Sequence, residues 1–154
     1  MTQHHRDVTD QFPELAGLAR LGPGVVLDRE LVVLRDAMPH LGSVGSRQHA
    51  ADPLKIRRLA QAHPVNYVLF DLLYVDYRSV MGEPLTQRRR RLQKTLARAD
   101  DPCLVFSEGV IGHGTALFAQ VCRLGLEGIM AKRLSGRYRP GRRSRAWLKI
   151  KPRP

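Results

Sequence analysis

Three charged residues near the C-terminus have the types and spacing of a phosphate site. Glu127 stands just ahead of the short apolar run Gly128-Ile-Met-Ala, and Lys149 and Lys151 alternate with apolar residues in Trp147-Leu-Lys-Ile-Lys. In an extended chain successive side chains point to opposite faces, so Trp147, Lys149 and Lys151 share one face and Leu148 and Ile150 the other. Two ammonium groups side by side, facing away from an apolar anchor, repel unless an anion lies between them. A carboxylate able to hold a metal, beside such a pair, suits a nucleotide phosphate. A second pair of acids, Asp28 and Glu30, shares one face of Val25-Val-Leu-Asp-Arg-Glu-Leu-Val-Val-Leu, with Leu27, Arg29 and Leu31 on the other. Two readings stand for that pair: the lining of a cleft, or a strand edge whose acids face water.

The elements that must position these groups can be read coarsely. Pro13 to Arg20 reads as a short helix ended by Gly22-Pro23-Gly24. Val25 to Leu34 is a strand by its β-branched content. Residues 35 to 52 read as a loop containing Gly42 and Gly45, with no Gly-Lys-Ser/Thr to make it a phosphate loop. Pro53 to Ala62 is a helix in which Leu54 and Leu59 suggest a buried stripe beside the basic Arg57 and Arg58. Tyr67 to Val75 is the most apolar strand, followed by a turn at Asp76-Tyr-Arg-Ser. Pro84 opens a helix with Leu85, Leu92 and Leu96 on one side. The run Arg88 to Arg91 wraps round that helix, so no more than two of the four can face one partner; it reads either as a solvated face or as a DNA contact. Cys103 to Phe106 is a strand, and Thr115 to Leu124 a helix with Leu117, Val121 and Leu124 inward. Gly128 to Leu134 and Ala146 to Lys151 are closing strands. The loop between them carries Arg137, Arg139, Arg142, Arg143 and Arg145, a density suited to a phosphate backbone. His4-His5 lacks a nearby third ligand and reads as a loose tail, and His113 as a loop residue.

The whole chain of 154 residues is one domain or part of a larger one, with 43% hydrophobic and 26% charged residues. A net charge of +12 favours a polyanionic partner. Cys103 and Cys122 lack CxxC spacing and read as reduced cysteines in apolar surroundings, and the N-terminus has no apolar signal segment. These point to a cytoplasmic protein. The irregular alternation of strands and helices, without a Gly-x-Gly-x-x-Gly turn, predicts an α+β domain of mainly antiparallel sheets flanked by helices.

Four pieces in order resemble the adenylation domain of ATP-dependent DNA ligases, and most closely the ligase module of bacterial non-homologous end-joining ligases. Val26-Leu-Asp-Arg-Glu-Leu resembles the family's Asp-Gly-Glu motif. Tyr67-Val-Leu-Phe-Asp-Leu-Leu-Tyr with Glu83-Pro-Leu-Thr-Gln-Arg-Arg resembles the next block, and Leu126-Glu-Gly-Ile-Met-Ala-Lys and Trp147-Leu-Lys-Ile-Lys the last two. The resemblance covers the chain from about Asp7 to Pro152. It implies a ligase-type nucleotidyltransferase (ATP-grasp-like) fold, ATP and Mg2+ as cofactors, and DNA repair or recombination by joining nicks or ends. It assigns Glu30 to the ribose, Asp28 to supporting that strand, Phe70 to stacking on adenine, Glu127 to the divalent metal, and Lys149 and Lys151 to the α-phosphate. The partner implied is nicked or broken duplex DNA near the nucleoid, met through the five arginines of the basic loop.

The departures are as specific. The family's nucleophile is the lysine of Lys-x-Asp-Gly, and none of Lys55, Lys94, Lys132, Lys149 and Lys151 is followed by x-Asp-Gly. Gln3 stands at the arginine position expected ahead of Asp7-Val-Thr, and Arg29 replaces the glycine between the acids. The expectation is therefore a partial N-terminal segment, 1–24, and a partial adenylation domain, 25–154, with no oligonucleotide-binding domain and no catalytic lysine. Three hypotheses follow: a ligase-like protein inactive alone and completed by a separate chain bearing the lysine, a non-catalytic nucleotide- or DNA-binding remnant, or a remnant with no stable fold.

Overall fold

The computed structural model describes residues 7–35, 38–39 and 41–152. Gln3 and His4-His5 lie outside them. The fold is α+β, as the strand and helix patterning predicts. Among the described residues seven strands, β1 (Val26–Arg35), β2 (Met38–Pro39), β3 (Val65–Val75), β4 (Arg78–Ser79), β5 (Leu104–Phe106), β6 (Ile129–Lys132) and β7 (Trp147–Ile150), form two sheets. Four helices, α1 (Leu41–Gln48), α2 (Pro53–Ala62), α3 (Leu85–Leu96) and α4 (Gly114–Arg123), accompany them, with 3-10 turns at Thr9–Gln11 and Pro13–Leu21. The main sheet is built on the antiparallel pair β1 and β3; β5 joins β3 in parallel, and β6 and β7 form a separate antiparallel ribbon.

The β1–β3 register shifts twice. Val26 faces Tyr74 but Leu27 faces Leu72, and Asp28 faces Asp71 but Arg29 faces Leu69. Leu73 and Phe70 are thus extra residues on β3. An extra residue bends a strand and re-aims its side chains. Leu69 and Leu72 are three apart, yet both are buried in one cluster with Val80 and Leu92. A regular strand would send them to opposite faces, and the bulge at Phe70 reconciles them. A second cluster joins Val8, Phe12, Leu31, Val33, Val44 and Val65 at the other end of the sheet.

Helix starts are satisfied in two ways. Asp52 caps α2, its carboxylate accepting from the Leu54 N–H at 3.0 Å, with Pro53 in the first turn. Pro84 ahead of α3 has no capping side chain, and the N–H groups of Leu85 and Thr86 instead donate to the carbonyls of Gly136 (3.0 Å) and Leu134 (3.2 Å). The segment after β6 is therefore fixed to the start of α3.

Five expectations are corrected. Residues 41–48 are helical despite Gly42 and Gly45, because the helix buries Val44 and Arg47 against β1. On α2 the buried residue is Ile56, and Leu54 is exposed. On α4 Val121 is buried but Leu124 lies at the exposed end. Cys122 is exposed; Cys103 is partly buried, and both are free. Arg88 to Arg91 are neither one solvated face nor one DNA face. Arg88 is fully buried, Arg89 donates to the carbonyls of Phe70, Ser107 and Glu108, and Arg91 pairs with Glu83 at 2.8 Å.

Candidate functional site

β6 and β7 pair with Met130 opposite Lys149 and Lys132 opposite Trp147. Opposed residues share a face, so Met130, Lys132, Trp147 and Lys149 form one surface, as the alternation of Trp147 and Lys149 predicts. The other face is less covered than that alternation suggests. Leu148 is 51% exposed and Ile150 38%, so they do not anchor the ribbon.

Glu127 and Lys149 are brought together. The Lys149 ammonium donates to the Glu127 carboxylate at 3.2 Å, and both side chains are exposed. Lys151 lies just past β7 and is also exposed. Gly128, between Glu127 and β6, has φ +135°, and a Cβ there would sit 2.1 Å from the carbonyl oxygen of Ile150. Only glycine tolerates both that backbone and that approach, so the Glu-Gly pair brings the carboxylate against the end of β7.

A more buried group lies behind this pair. The Lys132 ammonium is 3.9 Å from the Trp147 ring centroid and 4.6 Å from that of Phe70. Phe70 is one of the two extra residues of β3, and its bulge brings the ring to the ribbon. Tyr138 donates from its hydroxyl to Asp28 at 3.2 Å and meets Trp147 edge-on, with centroids 5.3 Å apart. Burial raises the Asp28 pKa against the pull of Lys132, and burial lowers that of Lys132 against the pull of Asp28 and Asp71. Tyr138 is pushed up to about 12 by burial and by the nearby Asp28 charge. Each group sits where its charged form is costly, and the neighbouring opposite charges offset part of that cost.

Asp28 and Glu30 remain two residues apart on β1, and the two readings divide between them: Asp28 is half-buried in the cluster, while Glu30 is exposed. All five arginines of the loop, Arg137, Arg139, Arg142, Arg143 and Arg145, are exposed. Residue types and spacing alone found Glu127, Lys149, Lys151 and the acid pair. Phe70 entered only through the resemblance. Lys132 and Tyr138 were missed as site residues, because their partners on β1 and β3 are far away in sequence. Among the described residues no three of His, Cys, Asp or Glu converge; Glu127, the carboxylate that the resemblance assigns to the metal, is exposed beside Lys149. Mg2+ is commonly held by one or two carboxylates together with substrate phosphates, which fits this arrangement.

Comparison with known proteins bears on this geometry. A family model described as the ATP dependent DNA ligase domain matches residues 1–151. The multifunctional non-homologous end joining DNA repair protein LigD of Mycobacterium tuberculosis is 38% identical over 149 residues, covering 95% of this chain and 18% of that protein. The SPbeta prophage-derived DNA ligase-like protein LigB of Bacillus subtilis is 34% identical, covering 97% of this chain and 52% of that one. The solved ligase domain of M. tuberculosis LigD is similar with a TM-score of 0.71 at 36% identity, over 97% of this chain and 45% of that one. A mycobacterial DNA ligase D complexed with ATP and MES matches with a TM-score of 0.72, over 97% of this chain and 46% of that one. The chain thus spans about half, or less, of the length of these relatives.

Proposed function

This chain belongs to the ATP-dependent DNA ligase family, and on that premise we propose that it forms the base- and phosphate-holding wall of an adenylation site for joining DNA nicks or ends. The observation that carries the reading is the meeting of Phe70 with the ribbon that bears Glu127 and Lys149. An aromatic ring displaced from its strand by a bulge, within one small site of a lysine–carboxylate pair, offers a stacking surface and a phosphate contact together.

In this reading adenine stacks on Phe70, Glu30 takes the ribose hydroxyls, and Asp28 holds the strand in place through Tyr138. Lys149 and Lys151 meet the α-phosphate, and Glu127, which accepts from Lys149, would hold Mg2+. The metal, when bound, neutralises phosphate charge. Lys132 ties β3 to β7 and fixes the spacing of the two surfaces. The exposed arginines of the 137–145 loop take the DNA backbone. The residues of 1–24 and 25–154 are then parts of one adenylation domain. The lysine that accepts AMP lies in a Lys-x-Asp-Gly segment that is not among residues 1–154. A second reading, binding without chemistry, is favoured by one observation: no lysine of this sequence is followed by x-Asp-Gly.

The test is incubation with labelled ATP and Mg2+, the chain alone and mixed with the part of the M. tuberculosis LigD ligase domain that lies outside the matched region. The expected result is nucleotide binding by the chain, no covalent AMP on it, and an AMP adduct on the added segment. AMP on this chain alone would overturn the assignment of the nucleophile. Binding without any adduct in the mixture selects the second reading.

A further inference from the structure

We propose that Arg89 is a positioning residue for base stacking: it holds the β3 bulge in the shape that turns the Phe70 ring to the β6–β7 ribbon. The inference rests on the functional reading above, in which adenine stacks on Phe70, and names the side chain behind the pocket that keeps the ring in place.

The β1 register passes from Asp28–Asp71 to Arg29–Leu69 and skips Phe70, and the β5 ladder ends at Leu69–Phe106. A bulged residue has no rung opposite it, so a further tie to its backbone is what keeps its side chain in one direction. Arg89 provides that tie. Its Nη1 donates to the Phe70 carbonyl at 3.3 Å, and its Nη2 to the carbonyls of Ser107 and Glu108, just past the end of β5. The guanidinium also lies over the Phe106 ring, 4.5 Å from its centroid. One planar group therefore joins the bulge to the strand end beside it.

The helix that carries Arg89 is fixed to the same part of β3. Leu92, one turn along α3 from Arg89, is buried with Leu69 and Leu72. Arg88 grips the Asp71 carboxylate while Arg89 holds the Phe70 carbonyl, so neighbouring residues of α3 hold neighbouring residues of β3. At the ring itself the Lys132 ammonium lies 4.6 Å from the Phe70 centroid. Phe70 is thus held through its backbone by α3 and through its ring by β6. Burial lowers the Arg89 pKa against the pull of Asp71 and Glu108, and the three carbonyls receive the donors of a cation placed where its charge is costly. A guanidinium presents a rigid fork of N–H donors and a flat face for Phe106, whereas a lysine offers a compact point charge.

The test compares Arg89→Met, which keeps the stem and removes every donor, with Arg89→Lys, which keeps the cation and loses the fork. Calorimetric titration with ATP and with inorganic triphosphate, both in the presence of Mg2+, separates base contacts from phosphate contacts. Arg89→Met is expected to weaken ATP binding about tenfold, within the range of a base–aromatic stack, and to leave inorganic triphosphate binding unchanged. Arg89→Lys should fall between it and the parent. In a Phe70→Ala background Arg89→Met should have no further effect. Lys94→Gln, at an exposed position of α3, should match the parent throughout. Fluorine NMR of the chain labelled with 4-fluorophenylalanine follows the ring without nucleotide, its line assigned by loss in Phe70→Ala, and that line should shift or broaden in both Arg89 variants. If Arg89→Met does not fold, Arg89→Lys decides. An unmoved Phe70 line, equal loss of ATP and inorganic triphosphate binding, or an additive effect with Phe70→Ala would each overturn the proposal. A parent that binds no ATP while the Phe70 line moves in the Arg89 variants would count against the functional reading and leave the tie between Arg89 and Phe70 standing.

Discussion

The Arg88 guanidinium is held by both carboxylate oxygens of Asp71, at 2.8 and 2.7 Å, and neither side chain has any exposure to solvent. Arg88 also donates to the carbonyls of Glu83 (2.6 Å) and Gly136 (3.0 Å). One side chain therefore joins β3, the start of α3 and the segment following β6. Breaking a buried pair from one side leaves an uncompensated charge and costs about 3–5 kcal/mol. Arg88→Leu and Asp71→Leu should each lower stability by about that amount, and the double variant should recover part of it. Urea denaturation measures all three; single variants within 1 kcal/mol of the parent would contradict this account.

Phe70→Ala should weaken nucleotide binding by about 10- to 100-fold, since base stacking on an aromatic ring contributes about 1–3 kcal/mol. Calorimetric titration with ATP in the presence of Mg2+ reads it. Phe70→Tyr keeps the stacking face and should bind like the parent.

Lys149 and Glu127 separate stability from binding. Their pair is exposed, so Lys149→Ala should change the unfolding free energy by less than about 1 kcal/mol. The same variant should weaken ATP binding by about tenfold or more. Equal affinity for parent and variant would remove Lys149 from the phosphate site.

The basic loop should control salt dependence rather than base preference. Arg139→Ala, Arg142→Ala and Arg143→Ala are each expected to reduce the slope of log affinity against log salt by about one on nicked duplex. Fluorescence anisotropy across salt concentrations provides that slope, and an unchanged slope in all three would move the DNA contact elsewhere.

Acid sensitivity is expected at Glu14. Burial raises its pKa, but hydrogen bonds from Arg47 and from backbone N–H groups outweigh that and leave it below the ordinary 4.5. A carboxyl depressed in the folded state contributes stability that is present above 4.5 and is lost as pH falls through the folded value. Melting temperature should therefore decline below pH 4.5, and Glu14→Gln should be less stable at neutral pH with a shallower acid decline.

The legible and illegible parts of the sequence divide by the range of the interactions. Lys149 and Lys151 could be placed on one face because strand alternation is local. Leu148 and Ile150 were expected to anchor the ribbon, and alternation cannot say whether a partner layer exists to receive them. The start of α2 is readable at Pro53, with the Asp52 cap seen only in the structure, whereas α1 is obscured by Gly42 and Gly45 and depends on packing against β1. Arg88 reads as one member of a basic run until Asp71 is brought to it from another strand. Phe70 reads as core because nothing in the local pattern announces a bulge.

The two-stranded β6–β7 ribbon has a consequence for the order of folding. Such a ribbon is only marginally stable by itself, and its ties run to Met81, to the start of α3 and, across 110 residues, from Tyr138 to Asp28. Contacts that close so long a span form slowly. The β1–β3 pair is then the early scaffold, and the wall bearing Glu127 and Lys149 is the last part to assemble and the first to open.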